Sequence, residues 1–379
     1  MADVAIVGIG QTTYETRKET LSLQELIFEA ASLALADAGV RRQDLDSVVL
    51  AAKDLVDGRG ISNMQNAGPA GSYLKDEIRV ANDGLYALIL AYMQIVSGSS
   101  NLALVVSWSK CSETNLDAIS VAEFEPFFQR PVGLSEKVAL ALQAHEVLGR
   151  FERARAAASE TVCRARAAAL HNARAHLRRA VTRAEVEASE PVSWPLRQLD
   201  LCPASDGACA LVLAARDRAA TLCPTPAWIL GVGWSSDGYE IGERSLSDSP
   251  SARRAADEAY RGASLASARD IDVVELVVRS SFQEMVVLDA LGLCAAGEAD
   301  RVIVEGRGDD GALRLTPSGG ALASNPVSAV GLVAAAEVAS QVMGRAGGHQ
   351  VDDVRLGLAH GTSGQCLQSN GVVLIGAER

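Results

Sequence analysis

The sequence predicts a layered α/β protein assembled from two halves of one plan. Strand-like and helix-like stretches alternate along the chain, and the order of elements in the first half recurs in the second. Each half also holds a helix-length run that is apolar on nearly every side. Alternation of this kind is what a sheet covered by helices requires, and a helix apolar all round has to be buried.

The first half opens with VAIVGIG (Val4 to Gly10), which reads as a buried strand and glycine turn. Leu23 to Gly39 follows as an amphipathic helix stopped by glycine, then LDSVVLAA as a second strand. The polar turn Asn82-Asp83-Gly84 precedes the apolar run Leu85 to Val96, and Asp83 is placed to cap its first backbone N–H groups. LALVVSW follows as another strand. In the second half PAWILGVGW, SARRAADEAYRGASLA and DIDVVELVV repeat strand, helix and strand. ASNPVSAVGLVAAAEVASQVMG and VRLGLAHG then supply a second buried helix and its strand. An internal duplication is expected, with halves 1–223 and 224–379 meeting at Cys223-Pro224-Thr225-Pro226.

A helical insertion of about 114–199 interrupts the first half. Within it, Phe151 to Ala188 is rich in alanine and arginine, with good helix formers throughout. Arg150, Arg153, Arg155, Arg164, Arg166, Arg174, Arg178, Arg179 and Arg183 make either a solvated helical face or a basic wall for a phosphorylated ligand.

At 379 residues and 48% hydrophobic, the chain has ample material for such a core. Its net charge of −12 argues against general nucleic-acid binding. The seven cysteines form no CxxC pair, so neither a metal site nor a disulfide framework is signalled. No basic leader precedes ADVAIVGIG and no apolar run reaches membrane-spanning length, which predicts a soluble, cytoplasmic protein.

Six segments in order resemble the thiolase superfamily, and within it the sterol-carrier, or lipid-transfer, type. They are YLKDEIRVANDGLYALILAYMQIVSG, LVVSWSK, LDLCPASDGACALVL, LDALGLCAAGEA, TPSGGALASNPVSAVG and AHGTSG. The resemblance implies a five-layer α/β/α/β/α fold, usually dimeric, acting on acyl-coenzyme A. LALVVSW is expected as the dimer's interface strand. The family's acyl-accepting cysteine stands at the start of the first buried helix, and counting back from Gly98 puts Ala81 there. A carboxylate at that helix tip is expected to have a lowered pKa and to cap, so Asp83 is a poor base. The second family loop, a histidine- or asparagine-bearing turn, falls on Val277-Val278, or on Arg279-Ser280-Ser281-Phe282 if the register slips by two. The third puts Asn325 where a histidine is usual, leaving a hydrogen-bond donor that carries no proton. The fourth puts His360, after a predicted strand, at a titratable position. Coenzyme A contacts are implied for Ser318, Gly319, Gly320, Gly361 and Gly364. Cys366, six residues past His360, reads as a packing cysteine, and His145, His171, His176 and His349 have no family role.

Two functions fit this pattern, the first as the leading reading and the second as its alternative. One is a pseudo-thiolase that binds acyl-CoA thioesters as a subunit of a larger complex, alone as a homodimer or paired with an active thiolase. The other is a cysteine-independent carbon–carbon lyase, a retro-aldolase on a β-hydroxyacyl-CoA that works with an OB-fold, zinc-ribbon partner. Thiolase-like retro-aldolases resemble this chain, although they carry tyrosines where Val277 and Asn325 stand. With Ala81 in the nucleophile position, ordinary thiolysis through a covalent acyl-enzyme is excluded on either reading.

Overall fold

The computed structural model describes residues 3–306 and 314–378. Ten strands form one continuous sheet. The first half supplies β1 (Val4–Gln11), β2 (Ser47–Ala51), β3 (Asp76–Val80) and β4 (Leu102–Ser109). A small separate hairpin, β5 (Pro191–Ser193) and β6 (Leu196–Arg197), precedes β7 (Gly207–Ala215). The second half supplies β8 (Ala227–Ser236), β9 (Val273–Glu275), β10 (Arg314–Leu315), β11 (Leu356–Ser363) and β12 (Ser369–Gly376). The order across the sheet is β10-β9-β11-β12-β8-β1-β7-β4-β2-β3. Read outward from the β1–β8 joint, each half runs first, fifth, fourth, second, third. That is one topology used twice, joined by a short antiparallel pairing from Val4↔Ile229 to Ile6↔Ala227.

Helices cover both faces. Leu23–Asp37 lies on β1 and β7, and Pro250–Gly262 lies on β8 and β12. Ser22 and Glu25 form a capping box on the first, while Ser249 caps the second just before a proline at its first turn. The glycines read as turns are inside the strands instead. A Cβ on Gly8 would come within 2.7 Å of Ala38 Cβ, and one on Gly233 within 2.9 Å of Glu258 Cβ. They are bare because the covering helices sit directly on the strand backbone.

The opposite face carries the helices Gly84–Val96 and Val330–Val342, which pack on each other and on strands of both halves. The second is buried at Leu332, Val338 and Glu337 alike; the first keeps Met93 43% exposed, so it is not sealed all round. LALVVSW is β4, held between β7 and β2 in the interior of the sheet. It is therefore not an edge, and the free edge of the first half is β3. Among the described residues, no helix is long and apolar enough to cross a membrane.

In the insertion, helix forms at Glu136–Arg150, Ala154–Ala169 and Arg183–Ala188, with an irregular segment between the last two. Its arginines are largely consumed by acids. Arg155 pairs with Asp200, Arg164 with Glu284, Arg183 with Glu160 and Arg150 with Asp289. The basic wall is an ion-paired helical face.

Candidate functional site

The tips of the two central helices are stitched together by one carboxylate. Asp83, 3% exposed, accepts from the Leu85 N–H through Oδ1 and from the Gly331 N–H through Oδ2, both at 2.9 Å. The cap predicted for the first helix thus also serves the second. A Cβ on Gly331 would overlap the Asp83 carboxylate, and one on Gly361 would come within 2.7 Å of it. The Gly84 N–H donates to the Ser328 carbonyl at 2.8 Å, closing the same junction. Burial pushes the Asp83 carboxyl up to about 6 against these two N–H donors. The expected lowering is reversed because desolvation of a sealed carboxylate exceeds the pull of two helix ends.

Beside this junction lies a two-lobed cavity. The larger lobe, about 610 Å³, is lined by Cys111, Leu116, Glu136, Leu140, Cys202, Arg279 and Asn325 among others. The smaller, about 510 Å³, is lined by Lys53, Arg79, Ala81, Glu123, Tyr239, Ser363 and Gly364. A throat of about 60 Å³ shares Glu136, Cys202, Arg279 and Asn325 with the first lobe and Lys53 and Glu123 with the second. Two ion pairs therefore face one constriction. Arg279 Nη1 donates to Glu136 Oε1 at 2.6 Å, and Lys53 Nζ to Glu123 Oε1 at 2.7 Å. Neighbouring carboxylates hold the Arg279 guanidinium protonated against its burial. Asn325 Nδ2 donates to Cys202 Sγ at 3.1 Å, and its backbone N–H to Ser205 Oγ at 3.0 Å.

The predicted site residues divide between this cavity and the core. Ala81 and Gly364 line the smaller lobe, and Asn325 lines the larger lobe and the throat. Val277 is 2% exposed and packs in the core, while Arg279, reached by the slipped register, faces the cavity. His360 is not in a turn. Strand β11 continues to Ser363, and His360 is fully buried within it, its Nε2 donating to Asn370 Oδ1 at 2.9 Å. Asn370 in turn donates to Ser249 and Ser251 at the start of the outer helix, so His360 points toward that layer. Gly361, one residue on, faces Asp83 and Leu85 on the inner layer. Burial pushes the His360 imidazole down to about 4, leaving a neutral ring away from the cavity lining.

The glycine-rich turn assigned to coenzyme A is also internal. Ser318 is 5% exposed and donates both its N–H and its Oγ to Glu275. With Gly320 it borders a void of only about 20 Å³. A Cβ on Gly319 would meet Ala169 Cβ at 2.8 Å. No ligand arm fits there.

Burial pushes the thiols of Cys111, Cys202 and Cys366 up to about 12, so each is a neutral thiol. Cys366 donates to the Ala139 carbonyl at 3.3 Å. His176 contacts Thr16 and Ser205, His349 pairs with Glu337, and the His145 ring packs on Trp194. Among the described residues no group of three or more His, Cys, Asp or Glu is arranged to hold a metal ion.

Sequence reasoning passed over Glu136, Glu123 and Lys53. Glu136 sits in the first turn of a helix capped by Ser135, with no motif around it. Its partner lies 143 residues away.

Comparison with known proteins agrees with this architecture. Residues 233–377 match the family described as Thiolase C-terminal domain-like. An acetyl-CoA acetyltransferase of Methanothermobacter thermautotrophicus is 29% identical over 376 residues, covering 96% of this chain and 97% of that one. Human sterol carrier protein 2 is 33% identical over 196 residues, 46% of this chain and 34% of that one. Among solved structures, the Ltp2-ChsH2(DUF35) aldolase superposes with a TM-score of 0.86 at 25% identity, covering 100% of this chain and 98% of that one. With its twice-used topology and paired central helices, the chain is similar to the thiolase superfamily along its whole length. Over the matched segment the likeness extends to the sterol-carrier type within that superfamily.

Proposed function

We propose that the protein is a carbon–carbon lyase that cleaves a β-hydroxyacyl-CoA by a retro-aldol step, with no covalent acyl-enzyme. The observation that carries this reading is the throat. It gathers Glu136, Arg279 and Asn325 in a cavity whose thiols are neutral and whose helix tip holds Ala81. Taking ion pairs out of water at a cavity constriction costs free energy, and such charged groups cluster at functional sites.

In this step Glu136 takes the proton of the β-hydroxyl. The oxygen's electrons form the carbonyl of the departing fragment, and the bond between the α- and β-carbons breaks toward the thioester as an enolate. Asn325 and Arg279 donate to the enolate oxygen. Glu136 then returns the proton to the α-carbon, giving acyl-CoA. Arg279 keeps Glu136 in place between these two transfers.

The likeness to an aldolase with a ChsH2(DUF35) component supports an analogous partner for this chain. Homodimerisation belongs to the same proposal, with β3 as the available edge. The competing reading is a non-catalytic subunit, for which Ala81 is the supporting residue. Exchange of the α-protons of propionyl-CoA in D2O separates the two without knowledge of the carbonyl fragment. A lyase catalyses exchange through the enolate; a binding subunit leaves the isotope pattern unchanged.

A further inference from the structure

Glu275 takes no part in the chemistry above, yet it is 1% exposed at the C-terminal end of β9. Its Oε1 accepts from the Ser318 N–H at 2.9 Å and its Oε2 from Ser318 Oγ at 2.8 Å. Ser318 Oγ also accepts from the Gly320 N–H at 3.1 Å, and the Ser318 carbonyl accepts from Asn172 Nδ2 at 3.1 Å. The Thr316 N–H donates to the Val274 carbonyl at 2.7 Å, fixing the same turn to β9. That turn holds Thr316 at φ 51°, Gly319 at φ 91° and Gly320 at φ 53°. A β-branched residue such as Thr316 keeps a left-handed backbone only where its surroundings over-determine it.

Two chain paths leave this clamp. Forward from Glu275, four residues lead to Arg279 at the throat. Forward from Ser318, the short helix Gly320–Ala323 leads to Ser324 and Asn325, whose side chain also lines the throat. We propose that Glu275 is a positioning residue: its carboxyl ties the Arg279 loop to the Asn325 loop and so sets the spacing of the two groups that donate to the enolate. The adjoining void of about 20 Å³ leaves no room for substrate beside it. Burial, with Glu337 nearby, raises the Glu275 carboxyl to about 8, and a neutral acid suits a purely structural tie. Glutamine can keep both contacts with one reversed, its Oε1 accepting from the Ser318 N–H and its Nε2 donating to Ser318 Oγ.

This inference rests on the lyase reading for its kinetic arm only. In the propionyl-CoA exchange assay, Glu275→Ala is expected to lower kcat by about 10- to 100-fold with KM within about threefold, because misplaced donors weaken the transition state more than binding. Glu275→Gln is expected to restore kcat to within about threefold of wild type. A second arm uses amide hydrogen exchange on the intact chain. Glu275→Ala should accelerate exchange across 314–327 about tenfold or more while leaving β4 and β7 unchanged, and Glu275→Gln should return it to the wild-type rate. Wild-type protection of 314–327 in the alanine variant, or an equal loss in the glutamine variant, overturns the proposal. If wild type exchanges no α-protons, the lyase reading fails and the amide arm alone decides. If Glu275→Ala does not fold, Ser318→Ala, which removes the Oγ contacts to Glu275 and Gly320 and keeps the backbone one, is measured in its place: faster exchange across 314–327 supports the tie, and wild-type protection there overturns it.

Discussion

Replacing Asp83 with asparagine removes one buried titrating group from between the two central helix tips. The wild-type carboxyl has an ordinary value of 3.8 raised to about 6, with burial the dominant cause. At about 1.4 kcal/mol for each tenfold change in proton affinity, this rise is worth about 3 kcal/mol. The folded state binds this proton more tightly than the unfolded chain does. The stabilisation is therefore fully present below about pH 4 and is lost as pH rises through about 6. The Arg279 guanidinium, which acts on the same carboxylate, stays charged over that range and does not distort the comparison. Urea unfolding of wild type and Asp83→Asn between pH 4 and pH 7.5 isolates the effect as a difference. Wild type should lose about 3 kcal/mol relative to the variant between pH 4 and pH 7, then run parallel to it. A difference that stays flat, or that grows in favour of wild type as pH rises, would refute the burial argument and restore the lowered pKa expected of a helix-tip carboxylate.

Incubation with acetyl-CoA should leave the intact mass unchanged, because the thiols of Cys111, Cys202 and Cys366 are pushed up to about 12; a stable acetyl adduct on any cysteine contradicts this. Ala81→Cys should not restore acetoacetyl-CoA thiolysis, since the cavity offers no histidine to form the thiolate; measurable thiolysis would show that Glu136 or Lys53 substitutes for one. His360→Gln should keep α-proton exchange within about threefold of wild type while lowering the melting temperature, as its ring is buried and hydrogen-bonds Asn370 on the side of the outer helix. A loss of exchange in the general acid–base range of about 10²- to 10⁴-fold, with folding intact, would return His360 to the mechanism.

The legible parts of the sequence were those that depend on near neighbours. Asp83 caps its helix because the atoms it needs lie two residues ahead, and the repeated strand–helix order shows directly in the hydrophobic pattern. Parity along a strand was harder. His360 and Gly361 differ by one residue, and only the register of β11 decides that the glycine faces the helix tips and the histidine the outer helix. The second-half loop was ambiguous by two residues, and of the two registers only the slipped one brings a side chain, Arg279, to the cavity lobes while Val277 stays in the core. The glycines of VGIG and LGVG looked like turns, since strand glycines made bare by a covering helix carry the same letters. Glu136, Glu123 and Lys53 left no trace, because their meaning comes from partners far off in the chain.

The central claim is that Glu136 moves a proton at the throat while Arg279 and Asn325 hold the enolate. Its most direct test compares α-proton exchange of propionyl-CoA by wild type and Glu136→Gln, with thioester binding followed by calorimetry on the same samples. The account predicts exchange in wild type, a loss of about 10²- to 10⁴-fold in Glu136→Gln, and affinity within a few-fold. Equal exchange rates in the two proteins, or no exchange in a wild-type sample that binds the thioester, would contradict it.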